Sequence, residues 1–103
     1  MKIGVLVQFN SEVENEIKKV SELGLSSCQL CAWNEALFTD EYVEKINNAV
    51  KKYEFGISTF WCGWCAPAVW NFYDGPLTLG LVPETWRFDR IRTLKAGSDF
   101  AKK

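Results

Sequence analysis

Gly56-Ile57-Ser58-Thr59-Phe60-Trp61-Cys62-Gly63-Trp64-Cys65 is the stretch on which the fold turns. Ile57 to Trp61 is a β-branched and aromatic run bounded by Gly56, and it reads as a short strand. A long connector follows, from Cys62 to Val82, rich in aromatic residues, Gly and Pro. Pro83-Glu84 then opens a helix, with Trp86, Ile91, Leu94 and Phe100 as candidate buried positions. Connections within α/β units are normally short, so a connector of this length points to function.

The same strand-then-helix plan occurs twice upstream. Lys2 to Phe9 is an apolar run suited to a strand buried on both faces. Ser11-Glu12-Val13-Glu14 has a capping-box pattern, and Val13, Ile17, Val20 and Leu23 recur at helical spacing up to Gly24, a left-handed stop. Ser27 to Trp33 reads as the second strand. Thr39 or Asp40 opens a helix carrying Tyr42, Val43, Ile46, Ala49, Val50 and Tyr53, and Gly56 is expected to end it. Alternating strands and helices imply a parallel sheet covered by helices. Three units supply only part of such a sheet, and the last residues, Phe100-Ala101-Lys102-Lys103, fall within the third helix. The expectation is a single partial domain over 1–103, the truncated opening of a larger α/β protein.

Composition narrows the function classes. Twelve basic and 13 acidic side chains leave a net charge of −1, so no global field attracts nucleic acid or an anionic membrane. Histidine is absent, which excludes Ser-His-Asp and Cys-His catalysis within this chain. No apolar run is long enough to span a bilayer. Met1 to Val7 is too short and too polar at its end for a signal peptide, so a cytoplasmic protein with four reduced cysteines is expected.

Cys28-x-x-Cys31 and Cys62-x-x-Cys65 have the spacing of zinc-binding pairs. Cys28 and Cys31 lie within an expected strand, however, where an odd separation sends them to opposite faces. Buried free cysteine behaves as a small hydrophobe, and that reading is preferred. Trp61-Cys62-Gly63-Trp64-Cys65 resembles the active site of thioredoxin-like proteins, in which a helix N-terminus activates the first thiol. The continuation departs from that pattern, because Gly75-Pro76 is expected to break any following helix. A thiol-redox domain using Cys62 and Cys65 stands as an alternative. Arg87, Arg90, Arg92 and Lys95 read as a solvated helix face rather than a phosphate site.

Trp70-Asn71-Phe72-Tyr73-Asp74-Gly75-Pro76-Leu77-Thr78-Leu79-Gly80-Leu81-Val82-Pro83 resembles the loop after the third strand in one subgroup of the sugar phosphate isomerase/epimerase family. These are TIM barrels related to xylose isomerase. Arg87, Arg90 and the run Leu94 to Ala101 resemble that subgroup's third helix, and Lys2-Ile3-Gly4-Val5 its opening strand. Gln29 departs from the family, in which Glu is common there. The resemblance implies the first three βα units of a (β/α)8 barrel.

It also implies a parent protein of carbohydrate metabolism, an isomerase or epimerase acting on a sugar or sugar phosphate by metal-assisted proton transfer. The family binds a divalent metal (Mn²⁺, Mg²⁺ or Zn²⁺) through carboxylates and a His on later strands. None of those positions is present, so no catalytic residue or metal ligand is assigned and the chain alone is expected to be inactive. Active sites of such barrels lie at the C-terminal strand ends. Gln8, Trp33, Trp61, Cys62, Gly63 and Trp64, with Trp70 and Phe72 above them, are therefore the candidate substrate-binding residues. Indole rings can lie against the C–H face of a sugar, and an amide can bond its hydroxyls. Glu35 and Asp74 are the acids expected nearest this end. Exposed sheet edges point to self-association, and a non-enzymatic binding or assembly module is a further alternative.

Overall fold

The computed structural model of the chain describes residues 3–103. The expected start of the first strand at Lys2 lies outside the described residues. Strand β1 spans Val5–Gln8, helix α1 Val13–Glu22, strand β2 Ser27–Ala32, helix α2 Asp40–Lys52 and strand β3 Gly56–Cys62. A 3-10 turn, Glu35–Leu37, sits between β2 and α2. The connector after β3 contains a one-turn helix, α3 (Gly75–Thr78), and the last helix, α4, spans Glu84–Ala101. The strands are parallel and ordered β1-β2-β3, as the strand–helix alternation implies.

Alternation along the strands separates two faces. Val7 and Phe9 from the β1 segment and Cys28, Leu30 and Ala32 from β2 enter one core with Val13, Ile17 and Val20 of α1. Ile46 and Ala49 of α2, Phe55 and Phe100 complete it. Tyr42, Val43, Val50 and Tyr53 pack at its margin. Leu23, which continues the helical spacing of Val13, Ile17 and Val20, is 74% exposed, because α1 has ended by that point. On the opposite face Leu6, Gln8, Gln29, Cys31, Thr59 and Trp61 follow from the same alternation. An irregularity between Cys28 and Gln29 passes over Ser58, pairing Cys28 with Ile57 and Gln29 with Thr59. That extra residue restores Phe60 to the core side and Trp61 to the opposite side.

The helix ends correct several local expectations. α1 is not capped by Ser11: Glu12 occupies the cap position, and the Glu12 backbone N–H donates to Asn10 Oδ1 at 2.8 Å. Gly24 does adopt the left-handed conformation, φ +80°, with Leu25 N–H bonded to the Val20 carbonyl and Gly24 N–H to that of Ser21. α2 closes in the same way, but its left-handed residue is Glu54, φ +48°, not Gly56. Phe55 N–H bonds back to the Val50 carbonyl while its ring is buried, and Gly56 starts β3. No helix runs from Cys65 to Gly75-Pro76, and that pair itself begins a one-turn helix, since a proline in the first turn has no N–H to lose.

α4 presents an unexpected face. Arg90, Thr93, Gly97 and Phe100 are buried, whereas Trp86 is 37% and Phe88 84% exposed. Arg90 is fully buried, which overturns its reading as part of a solvated surface.

Candidate functional site

Trp33 directly follows β2 and Trp61 lies near the end of β3. Gly63 N–H donates to the Ala32 carbonyl at 2.7 Å, extending the ladder one step beyond β3 and holding the two strand ends together. The rings of Trp33 and Trp61 meet edge to face, with centroids 5.7 Å apart. Trp64 and Trp70 fold onto them from the connector: Trp33 lies 5.6 Å from Trp64 and 6.5 Å from Trp70. Trp61–Trp70 and Trp64–Trp70 separations of 6.5 and 6.1 Å close the group. Four indoles, one just after β2 and three from residues 61–70, thus form one cluster at the C-terminal end of the sheet. The spacings suit the edge-to-face and tilted contacts that aromatic quadrupoles favour.

Gly63 belongs to this cluster through its lack of a side chain. A Cβ there would sit 2.3 Å from Trp33 Cε3 and 2.6 Å from Cδ2, so the indole occupies the space that any larger residue needs. Trp64 Nε1 is buried with no hydrogen-bond partner among the described residues. It is a donor held against the cluster without an acceptor, a costly state for a buried polar group.

The other candidates occupy different places. Gln8 is exposed and stands in register with Cys31, which is in register with Trp61. These three form a row across the open face at the level of the strand ends. Phe72 is 97% exposed and lies in a shallow apolar concavity with Trp70, Tyr73 and Leu79, outside the four-indole cluster. Cys62 points to the helix side, where a Cβ on Gly97 would fall 2.3 Å from its Sγ. Its thiol is 3.7 Å from the Thr93 carbonyl. Alternation thus divides neighbouring Trp61 and Cys62 between the two faces.

The acids expected near the mouth are committed elsewhere. Glu35 accepts from Arg92 Nη1 at 3.0 Å and from Thr93 Oγ1 at 2.8 Å, tying the 3-10 turn to α4. Asp74 accepts from Asn71 Nδ2, and Asn71 Oδ1 closes the turn that precedes α3 by accepting from the Tyr73 and Asp74 amides. Among the described residues no three Cys, Asp or Glu side chains converge to hold a metal. The donors present therefore do not fit a divalent ion of the kind that the resemblance implies.

Neither the Cys28 nor the Cys62 thiol is activated. Burial, and then the Glu35 carboxylate, push the Cys62 thiol up. Burial, and then Cys31, push Cys28 up to about 11. Cys62 ends a strand, and no helix of more than one turn begins until Glu84. The helix N-terminus that activates a thioredoxin-like thiol has no counterpart beside it.

Arg90 belongs to the candidate site although its sequence context reads as a solvated helix face. Its Nε donates to the Cys65 carbonyl at 3.2 Å, and Nη2 to that of Pro67 at 3.0 Å. Nη1 donates to the Thr78 and Gly80 carbonyls at 2.7 and 2.6 Å. The guanidinium carbon lies 5.6 Å from the Trp64 ring centroid. Nearby, Arg87 donates to the Leu81 and Val82 carbonyls, both at 2.8 Å. The signal available in the sequence was the connector's length, since so many backbone carbonyls require donors from somewhere.

No protein-family model matches the chain, and no curated protein sequence matches it. Among solved structures, the fold is similar to the crystal structure of a xylose isomerase domain protein from Planctomyces limnophilus, with a TM-score of 0.83 at 21% identity. The match covers 96% of this chain and 35% of that one, so the chain spans about a third of that protein's length. The chain has the fold of part of a xylose isomerase-like TIM barrel, its three parallel strands and their helices forming a segment of the wall. Among the described residues no helix is long and apolar enough to cross a membrane.

Proposed function

We propose that this chain is the opening three βα units of a sugar isomerase or epimerase, and that its contribution is an aromatic wall of the sugar site. The carrying observation is the cluster of Trp33, Trp61, Trp64 and Trp70 at the C-terminal strand ends, the end at which TIM barrels bind substrate. Indole faces suit the C–H surface of a pyranose or an extended sugar chain. Gln8, exposed in the same row as Trp61, supplies an amide for hydroxyls. A hydroxyl or water entering beside Trp64 would satisfy its unpartnered Nε1.

The reaction proposed for the parent protein is proton transfer between neighbouring sugar carbons. Such chemistry needs a positioned base and stabilisation of an enediolate. Glu35 and Asp74 are held by structural partners, so we assign neither role here and expect no turnover from this chain. A divalent metal held by later strands of the parent protein, and a cytosolic setting, belong to the same proposal. Self-association is a further part of it, supported by β1 and β3 as edge strands and by Leu6, 50% exposed on the open face.

Tryptophan fluorescence tests the reading. Ketoses and aldoses, free and phosphorylated, should perturb emission saturably, and Trp33→Ala or Trp70→Ala should weaken the response. A chain whose emission responds to no sugar in the panel would remove the proposal. Mn²⁺-dependent isomerase turnover that is lost in Glu35→Gln would show that the active site lies elsewhere in this chain.

A further inference from the structure

We infer that Arg90 is the positioning residue of the tryptophan wall, holding the connector that carries Trp64 and Trp70 against the fixed pair Trp33 and Trp61. The inference rests on the sugar-site reading for its functional meaning, while its structural content stands independently.

The hydrogen bonds have a definite pattern. Cys65 and Pro67 lie where the connector leaves β3, and Thr78 and Gly80 lie where it returns toward α4. One side chain therefore joins the two ends of the connector and pinches the segment between them into a closed loop. Trp70 lies on that loop. Trp64 lies just before it and is faced by the guanidinium itself. Four of the five N–H groups of the planar fork are used. A lysine, with three N–H groups on one atom, cannot reach carbonyls set around a plane in this way. Arg90 is fully buried, and among the described residues it has no carboxylate partner, so carbonyl dipoles and the face of the Trp64 ring compensate its charge.

Trp33 and Trp61 depend on none of this. They are set by β2, β3 and the Gly63–Ala32 hydrogen bond. The core formed by α1, α2 and the sheet lies on the helix-covered face, and α4 enters it through Phe100, ten residues beyond Arg90. Loss of Arg90 should therefore release one half of the wall and leave the other half and the main core in place.

The test uses Arg90→Ala and Arg90→Lys in the full chain, with three readouts. The helical circular dichroism and its cooperative thermal transition report the core. The far-UV indole exciton signal reports the cluster, and sugar-induced quenching reports the wall. In both variants the helical transition should persist. The indole signal should fall by about half or more, leaving the Trp33–Trp61 contribution, which Trp33→Ala in the Arg90→Ala background then abolishes. Apparent affinity for any sugar that wild type binds should drop about fivefold or more, the equivalent of one lost aromatic contact. Millimolar ethylguanidinium should restore the indole signal of Arg90→Ala.

An unchanged indole signal in Arg90→Ala, or full retention in Arg90→Lys, overturns the inference. Loss of the cooperative helical transition in both variants also overturns it, because Arg90 would then be holding up the whole fold. If wild type binds no sugar, the functional proposal fails, and the indole signal still decides the role of Arg90.

Discussion

Replacing Gly63 by alanine adds a single methyl group at the most crowded point of the tryptophan cluster. The backbone at Gly63 is not among the left-handed positions, so alanine meets no conformational penalty there and the effect is steric. The new Cβ would lie 2.3, 2.6 and 2.8 Å from three atoms of the Trp33 ring. Carbon atoms rest at about 3.5–4.0 Å, so the ring must retreat by more than about 1 Å. Overpacking of this kind costs about 1–3 kcal/mol. Trp33 is 40% exposed and can swing toward solvent, which favours the lower half of that range. In retreating it weakens edge contacts with Trp61, Trp64 and Trp70, each worth about 0.5–1.5 kcal/mol when well formed. The expected loss is therefore about 1–2 kcal/mol in urea unfolding, with a marked fall in near-UV circular dichroism. Trp33→Leu removes the obstructing ring, so Gly63→Ala in that background should cost about 1 kcal/mol less than in wild type. A Gly63→Ala protein within about 0.5 kcal/mol of wild type, with an unchanged near-UV spectrum, would refute the packing argument.

The two helix stops make an opposed pair: Glu54→Gly should stabilise and Gly24→Ala destabilise, each by about 0.5–1 kcal/mol, because both positions are left-handed and only glycine adopts that conformation freely. Thermal unfolding that moves both variants in the same direction would contradict this. Gly97→Ala, usually a gain within a helix, should instead destabilise by about 1 kcal/mol or more through its clash with Cys62 Sγ, and Cys62→Ala should relieve it in a double-mutant cycle. Additivity of the two changes would sink that account. Cys28 titrates higher in the folded chain than in the unfolded one. Its contribution is thus complete below about pH 9 and lost as pH rises toward about 11, on the order of 3 kcal/mol at most. Urea unfolding across that window should show a steeper decline for wild type than for Cys28→Val; equal slopes would count against it.

Much of the architecture is written in local patterns. The alternation of strand runs with the Val13, Ile17, Val20 and Ile46, Ala49 stripes was sufficient for the parallel order and for the core those residues enter. Such patterns are legible because a helix or strand face repeats every few residues. The odd spacing of Cys28 and Cys31 likewise separated them onto two faces before any contact was known. The indole cluster was only half visible. Placing Trp33, Trp61, Trp64 and Trp70 at one end follows from strand order, but bringing their rings within contact required the connector to fold back.

What tertiary structure alone decided was the role of residues whose partners are far along the chain. Arg90 reads locally as one more charge on a helix, yet its acceptors are 10 to 25 residues away. Glu35 reads as an acid near a mouth, yet its partners, Arg92 and Thr93, lie 57 and 58 residues on. Gly63 and Gly97 show no turn requirement in sequence; each is glycine because a side chain from another element, Trp33 or Cys62, fills the space. Periodicity records which face a residue presents, whereas the atoms it meets depend on how distant segments pack. Buried charges and close approaches are therefore settled only once the whole chain has closed around them.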